Sequence, residues 1–186
     1  MKLFKERCII SFFFASILSV SAQIKLPELI SDGMILQRDT KIKIWGWAAA
    51  NEDVIISFKK KTYTTSANKN GEWEVKLPKQ NSGGPYTMNI SASNFIEIND
   101  IYFGDVWIAS GQSNMSFEMQ KVAKHYKSEL KNSTNSKIRQ FLIPKKPNFK
   151  APQKGFKSGN WISANPKTVG GFSAVAYFFA QKQFEK

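Results

Sequence analysis

A run of mostly apolar residues from Ile101 to Ala109 is the sequence feature that most constrains the fold. It does not alternate polar and apolar residues, a pattern typical of a strand covered on both faces in a parallel sheet. The run stops abruptly at a small polar turn that contains Ser113, and the residues beyond are compatible with a helix. In α/β enzymes such a unit lifts a hydroxyl to a helix N-terminus, where free N–H groups stabilise an oxyanion. Ser113 is therefore a candidate nucleophile, although the local pattern alone also fits an ordinary helix N-cap.

The first 22 residues have the three parts of a secretory signal peptide. Basic residues up to Arg7 precede an apolar core from Ile9 to Val20, and a small-residue cleavage site ends at Ala22. The core is shorter than the roughly 20 apolar residues that a membrane span needs. We expect cleavage after Ala22, a secreted or periplasmic protein, and no stable membrane insertion. Cys8 lies in the signal peptide, so the mature chain has no cysteine for a disulfide, a metal site or a nucleophile.

The chain is strongly basic, with a formal net charge of +13. Such a charge raises the question of nucleic acid as a partner. However, only three of the 27 basic residues are arginine, the residue that usually recognises phosphates and bases in a bidentate manner. The lysines are spread along the whole chain, as expected for a solvated surface. We therefore expect no nucleic-acid partner.

From Ile24 to about Asn99 the sequence has the pattern of short β-strands. The Asn70-Gly71 pair is a strong hairpin-turn signal between two strands. Short, evenly spaced strands without a helical period predict a small antiparallel β-sandwich over residues 23–100. The predicted strands are Lys41–Trp45, Asp53–Phe58, Thr62–Ser66, Trp73–Leu77, Tyr86–Ala92 and Phe95–Ile98.

The tryptophans of this region and of the apolar run raise the question of a surface on which sugars stack. Trp45 and Trp107 lie in apolar strands and are predicted to belong to the core. For Trp47 and Trp73 the sequence leaves both interpretations open.

The pattern changes at Asp100, and residues 101–186 are predicted to form the start of an α/β domain. Ser116–Leu130 fits an amphipathic helix or a long loop, and Ile138–Ile143 a second strand. Phe172–Phe184 is predicted to be a helix that places Val175, Phe178 and Phe179 on one face. This helix runs to the last residue without a cap, so we expect the chain to be a truncated form of a longer protein.

Several motifs of the chain, in their order, are similar to those of the sialate O-acetylesterase family, whose members are SGNH-type serine esterases. The motifs are Leu26-Pro27, Asp32-Gly33-Met34-Ile35-Leu36-Gln37, Trp45-Gly46, Asn70-Gly71-Glu72-Trp73, Gly83-Gly84-Pro85-Tyr86, Gly104-Asp105-Val106-Trp107, Ser110-Gly111-Gln112-Ser113-Asn114-Met115 and Phe172–Ala180. They extend over nearly the whole mature chain. The resemblance implies a β-sandwich followed by an SGNH-like, flavodoxin-like α/β hydrolase domain.

The resemblance also implies roles for individual residues. Ser113 is expected to be the nucleophile and to supply its own N–H to the oxyanion hole. Gly171 is expected to supply a second N–H, although its glycine pair also fits a simple turn into the last helix. Gly111, Gln112 and Asn114 are expected to support the serine turn.

The aspartate and histidine that complete the triad are expected later in the chain of this family. The single histidine, His125, is not part of an Asp-x-x-His pair, and it lies in a lysine-rich stretch. We interpret it as a surface residue. Asp105, inside the Gly-Asp-Val-Trp motif, is expected to be structural.

These implications predict a secreted carbohydrate O-acetylesterase, similar to a sialate 9-O-acetylesterase, that works through an acetyl-enzyme. Its partners are then an O-acetylated sialic acid or another acetylated glycan, and water. No cofactor and no metal are expected. The alternative is a non-catalytic carbohydrate-binding or adhesion β-sandwich that carries a vestigial esterase segment.

Overall fold

The computed structural model describes residues 23–145, 147, 149–152 and 155–185. The predicted signal peptide, residues 1–22, lies outside the described residues. The strands are β1 Ile35–Gln37, β2 Ile42–Trp47, β3 Asp53–Phe58, β4 Lys61–Ser66, β5 Glu72–Leu77, β6 Gly83–Ser91, β7 Phe95–Gly104, β8 Asn135–Phe141 and β9 Trp161–Ala164. The α-helices are α1 Met119–Val122, α2 Lys127–Lys131 and α3 Ala174–Phe184, and two 3₁₀-helices span Ser113–Ser116 and Val169–Gly171.

The first seven strands form two sheets. A five-stranded sheet has the order β1-β7-β6-β3-β4, and β2 pairs with β5 in a separate two-stranded ribbon. The large sheet is mixed because β1 runs parallel to β7, whereas its other pairs are antiparallel. The sheet-rich first half is thus confirmed, whereas the predicted antiparallel β-sandwich is not confirmed, because the large sheet is mixed.

Both sheets contribute to one hydrophobic core. Strand β3 shows why: Val54, Ile56 and Phe58 are buried, while the residues between them are exposed. This period of two is what a strand with one covered face requires. Ile44 of β2 and Leu77 of β5 complete the core from the ribbon.

The Asn-Gly turn forms, but it does not close a hairpin. The Asn68 side-chain oxygen accepts bonds from the amides of Asn70 and Glu72, and Gly71 has a φ of +77°. The strands on either side belong to different sheets, since β4 pairs with β3 and β5 pairs with β2. The hairpin prediction is therefore wrong, because pairing partners are selected by the shared core rather than by the turn.

Strand β7 differs from the predicted strand Ile101–Ala109 at both ends. It begins at Phe95, continues through residue 100, and ends at Gly104. Its pairing with β1 is parallel, as predicted for this run. Residues 106–108 are exposed and outside any strand, so the prediction of a covered strand up to Ala109 is wrong. The domain boundary at residue 100 stays a prediction.

The second half contains a second hydrophobic cluster, formed mainly by α1, α3 and the antiparallel β8–β9 ribbon. The stretch predicted as a helix or loop contains the short helices α1 and α2. Helix α3 forms where it was predicted, but its most buried residues are Ala174 and Tyr177. Val175 and Phe179 of the predicted apolar face are 46% and 40% exposed, so the described residues leave this face partly uncovered. Within the described ranges, no helix has both the length and the apolar character to cross a membrane.

Candidate active site

The chain leaves the large sheet at a charged clamp between the ends of β1 and β7. Arg38 donates from Nε and Nη2 to the two carboxylate oxygens of Asp105, at 2.8 and 3.2 Å. The Arg38 amide donates to the Gly104 carbonyl, and the Val106 amide donates to Gln37 Oε1 at 2.8 Å. The bond from Arg38 holds the pKa of Asp105 below its usual value. These bonds fix the point from which the chain runs toward Ser113.

This clamp was not predicted as a pair. The expectation of a structural Asp105 agrees with its bonds, but the partner Arg38 follows directly after the Asp-Gly-Met-Ile-Leu-Gln motif and was not identified. The available signal was that this motif and the Gly-Asp-Val-Trp motif both end a strand. Parallel pairing of those strands places the residues that follow them side by side.

Beyond the clamp, three apolar side chains lie on the surface. Val106, Trp107 and Ile108 are 41%, 63% and 89% exposed. The Trp107 ring meets the Phe179 ring of α3 edge to face, with centroids 5.1 Å apart. The prediction that Trp107 is a core residue is therefore wrong in this structure.

Ser113 is the first residue of the 3₁₀-helix Ser113–Ser116 and is exposed. Gly111 precedes it with a φ of +152°, a conformation that side-chain-bearing residues rarely adopt. The Met115 amide donates to the Gln112 carbonyl at 3.0 Å, and the Phe117 amide donates to the Asn114 carbonyl at 3.1 Å. The four motif residues from Gly111 to Asn114 thus form one tight turn that presents the Ser113 hydroxyl to solvent.

Two backbone donors lie at this turn. The amides of Ser113 and Asn114 have no hydrogen-bond acceptor in the part of the chain that the structure describes. Unpaired amides beside a serine hydroxyl are the donors that a tetrahedral oxyanion needs. The expectation that Ser113 supplies its own N–H remains a prediction, and this geometry is compatible with it.

The serine turn is attached to the start of helix α3. The Ala174 amide donates to the Phe117 carbonyl at 2.8 Å, and the Met119 amide donates to the Phe172 carbonyl at 2.9 Å. Ser173 caps α3 by accepting a bond from the Ala176 amide. These bonds place the serine turn and the α3 N-terminus in one neighbourhood, as the predicted site requires.

Gly171 is the last residue of the 3₁₀-helix Val169–Gly171, which packs against α1. Its amide donates to the Thr168 carbonyl at 3.1 Å, and a Cβ added at this position would meet nothing within 4 Å. Service as an oxyanion donor therefore requires this amide to share or give up its bond. The assignment of Gly171 stays a prediction.

The general base is not assembled among the described residues. His125 lies exposed in the turn after α1, and no hydrogen bond joins it to Ser113. A serine hydroxyl without such a base is a poor nucleophile. Over the same described residues, no group of three or more histidine, cysteine, aspartate or glutamate side chains is arranged to hold a metal ion.

Comparisons with known proteins find sialate O-acetylesterases and a carbohydrate acetylesterase that are similar to the chain, although no protein-family model matches it. Over 110 residues it is 27% identical to the sialate O-acetylesterases of Homo sapiens and Pongo abelii. The match covers 53% of the chain but 21% of each relative, so the chain spans about a fifth of these proteins. A crystal structure of a carbohydrate acetylesterase from Xanthomonas citri superposes with a TM-score of 0.83 and 35% identity. That match covers 87% of the chain and 37% of the esterase. These relatives do not favour the alternative of a non-catalytic module.

Proposed function

Because the chain belongs to a sialate O-acetylesterase-like family, we propose that it carries the nucleophile of a secreted serine esterase acting on O-acetylated carbohydrates. The observation that carries this proposal is the structural match to a carbohydrate acetylesterase over 87% of the chain. The serine turn lies within a motif that resembles the nucleophile block of the family. The substrate class is an acetylated glycan, such as a sialic acid that carries a 9-O-acetyl group.

In the proposed mechanism the Ser113 hydroxyl oxygen attacks the acetyl carbonyl carbon, and a general base takes the hydroxyl proton. The negative charge that develops on the carbonyl oxygen is stabilised by the Ser113 amide, with Gly171 as a second donor. Collapse of the tetrahedral intermediate breaks the ester bond, and the sugar oxygen leaves with the proton held by the base. Water then attacks the acetyl-serine, the base again transfers a proton, and acetate and free Ser113 result.

The general base in this proposal comes from polypeptide that lies outside residues 1–186. Two observations support it. His125 is exposed and has no bond to Ser113, and apolar side chains next to the serine segment are uncovered, with Ile108 89% exposed. Further chain of the same protein would supply the histidine and aspartate and cover these side chains.

Export belongs to the same proposal. Its support is the sequence pattern of residues 1–22, in which a basic start, an apolar core and small residues ending at Ala22 follow one another.

The proposal is tested by acetate release from two substrates, an O-acetylated sialoside and an acetylated neutral oligosaccharide, with the longer natural protein. Acetate should be released from at least one, and Ser113→Ala should lower turnover by about 10³-fold or more. Ser110→Ala, at an exposed serine that directly precedes the turn, is the matched control and should retain turnover. Unchanged turnover in Ser113→Ala, or no acetate from either substrate, would contradict the proposal.

A further inference from the structure

A groove of about 520 Å³ opens where the β2–β5 ribbon meets β4, the edge strand of the large sheet. Its size lies within the range of roughly 300–1,000 Å³ typical of pockets that hold small ligands. The lining residues are Lys43, Trp45, Gly46, Trp47, Thr65, Ser66, Asn68, Glu72, Trp73 and Glu74. None of them belongs to the serine site.

The groove combines aromatic rings with hydrogen-bonding side chains. Trp45 and Trp47 are half-buried and lie two residues apart on β2, so they share one face of the strand. Thr65, Ser66 and Asn68 add hydroxyl and amide groups to the lining. Of these, the Ser66 hydroxyl already donates to Asp53, and the Asn68 side-chain oxygen already accepts two backbone amides. A sugar ring has one face of C–H groups that packs on an indole, and a rim of hydroxyls that bonds to such polar groups.

Trp73 forms the floor beneath the groove. In the register of the ribbon it is paired with Gly46, so it lies on the face opposite to that of Trp45 and Trp47. Its side chain is buried, with 3% of the residue exposed, and its Nε1 has no hydrogen-bond partner among the described residues. The ring packs directly under Gly46, where an added Cβ would come within 2.8 Å of Trp73 Cζ2. Because its Nε1 is buried, Trp73 supports the groove from the core and offers no donor to a ligand there.

The charges in the groove select for a neutral ligand. The Lys43 ammonium is paired with the Glu74 carboxylate at 2.5 Å. The Lys76 ammonium lies 3.9 Å from the same carboxylate, and Glu72 also lines the groove, so two ammonium groups accompany two carboxylates here. The groove therefore offers no net positive charge that would attract an anionic sugar.

We propose that this tryptophan groove, lined by Trp45 and Trp47 above the buried Trp73, binds a neutral oligosaccharide chain. The inference does not rest on the proposed esterase activity, since the groove contains no residue of the serine turn. The groove would bind the oligosaccharide chain at a place separate from the serine turn, where an acetyl group would be removed.

The test is isothermal titration of the purified protein with three unacetylated neutral hexasaccharides, namely cellohexaose, xylohexaose and mannohexaose. Tryptophan fluorescence is measured in parallel, because a bound sugar changes the surroundings of the groove indoles. At least one hexasaccharide should bind, and Trp47→Ala should weaken its affinity at least tenfold. Trp47→Phe, which keeps an aromatic ring, should recover part of the affinity. Oligosialic acid of matched length should bind more weakly than the neutral ligand.

Phe95→Ala is the matched control, because Phe95 is an exposed aromatic residue of the large sheet outside the groove. It should bind like the wild type. Circular dichroism of each variant separates a loss of binding from a loss of fold. If Trp47→Ala is unfolded, the affinity of Trp47→Phe relative to the wild type provides the test. Absence of binding to all three hexasaccharides at millimolar concentration, or unchanged affinity in folded Trp47 variants, overturns the proposal. Either result leaves the esterase proposal untouched, because these ligands carry no acetyl group.

Discussion

The Arg139 guanidinium contacts both carboxylate oxygens of Asp100, at 3.0 Å each, across the junction between the β8–β9 ribbon and the large sheet. The arginine side chain is 2% exposed, and the aspartate side chain is 56% exposed. The same guanidinium donates to the carbonyl oxygens of Gly33, Asp100 and Ser136, at 2.7 to 2.9 Å. One buried cation therefore joins strand β8 to the sheet whose end leads to Ser113.

We expect Arg139→Met to lower the free energy of unfolding by about 3 kcal/mol. Methionine fills a similar length but leaves the carbonyl oxygens at this junction without their donor. Urea unfolding followed by tryptophan fluorescence measures the loss.

Arg38→Met is the matched control for this prediction. Arg38 also pairs with an aspartate, Asp105, but 42% and 46% of the two side chains are exposed. Exposed pairs contribute little to stability. If both variants lower the free energy of unfolding by the same amount, the burial of Arg139 does not explain the stability that its contacts contribute.

The pair of Arg38 and Asp105 predicts a pH dependence of stability. The pKa of Asp105 is lowered from its ordinary value of about 3.8, chiefly by the hydrogen bond from Arg38. A lowered folded-state pKa stabilises the protein above the ordinary value, and this stabilisation is lost as the pH falls through the folded-state pKa. Asp105→Asn should therefore melt below the wild type at pH 7, and by a smaller margin at pH 3. In an Arg38→Gln background the substitution should have little effect at either pH, and an equal effect there would exclude Arg38 as the cause.

We predict that Ser113 is the residue acylated in a form of the protein that includes the proposed general base. A fluorophosphonate probe reacts with serines activated by a base, and the Ser113 hydroxyl is exposed beside two unpaired amides. Ser113→Ala should abolish labelling, whereas Ser110→Ala should leave it unchanged. Mass spectrometry of the labelled peptide identifies the site, and labelling that persists in Ser113→Ala would place the nucleophile elsewhere.

The sequence predicted those strands well whose local pattern and core contacts agree. Asp53–Phe58 was predicted with its observed bounds, because its alternation matches a strand with one buried face. The absence of a hairpin at Asn70-Gly71 could not be predicted, since the turn does not determine which strands pair. Strand β5 pairs with β2, with which it shares the hydrophobic core. The predicted end of the strand at Ala109 is wrong for a related reason. The apolar run continues past Gly104, but the strand ends there because its pairing with β1 stops.

The candidate site was predictable only in its local part. The turn from Gly111 to Asn114 could be predicted because glycine readily adopts the positive φ that the turn has at Gly111. The bond between Arg38 and Asp105 joins residues 67 positions apart, so it depended on strand order. No local pattern gives that order.

Gly111→Ala should slow acylation of Ser113 with little loss of global stability. The φ of +152° at Gly111 is strained for alanine by about 1–3 kcal/mol, and the added Cβ would lie 3.3 Å from Met115 Cγ. The exposed turn would relax and move the serine, so probe labelling should slow by tenfold or more. Gly104→Ala is the control, because its Cβ would only touch Ile35 Cγ2 at 3.6 Å. Equal labelling rates in both variants would show that the Gly111 conformation does not position Ser113.

The last prediction concerns the 186-residue chain by itself, which we expect to lack meaningful esterase activity. His125 has no bond to Ser113 in the described structure, and loss of the base in a comparable serine triad lowers turnover by about 10⁶-fold. The exposed apolar side chains of Ile108 and Phe179 should also make this chain prone to aggregate at high concentration.

Turnover of p-nitrophenyl acetate and of an O-acetylated sialoside should be measured for this chain and for a form extended by the polypeptide proposed to carry the base, with light scattering to monitor aggregation. His125→Ala provides the decisive comparison, because it removes the one histidine of residues 1–186. In the extended form this variant should retain full turnover, since an exposed histidine without contact to Ser113 cannot accept its proton. Equal turnover of the two proteins, lost in both on His125→Ala, would make His125 the base and would require the turn after α1 to move onto Ser113.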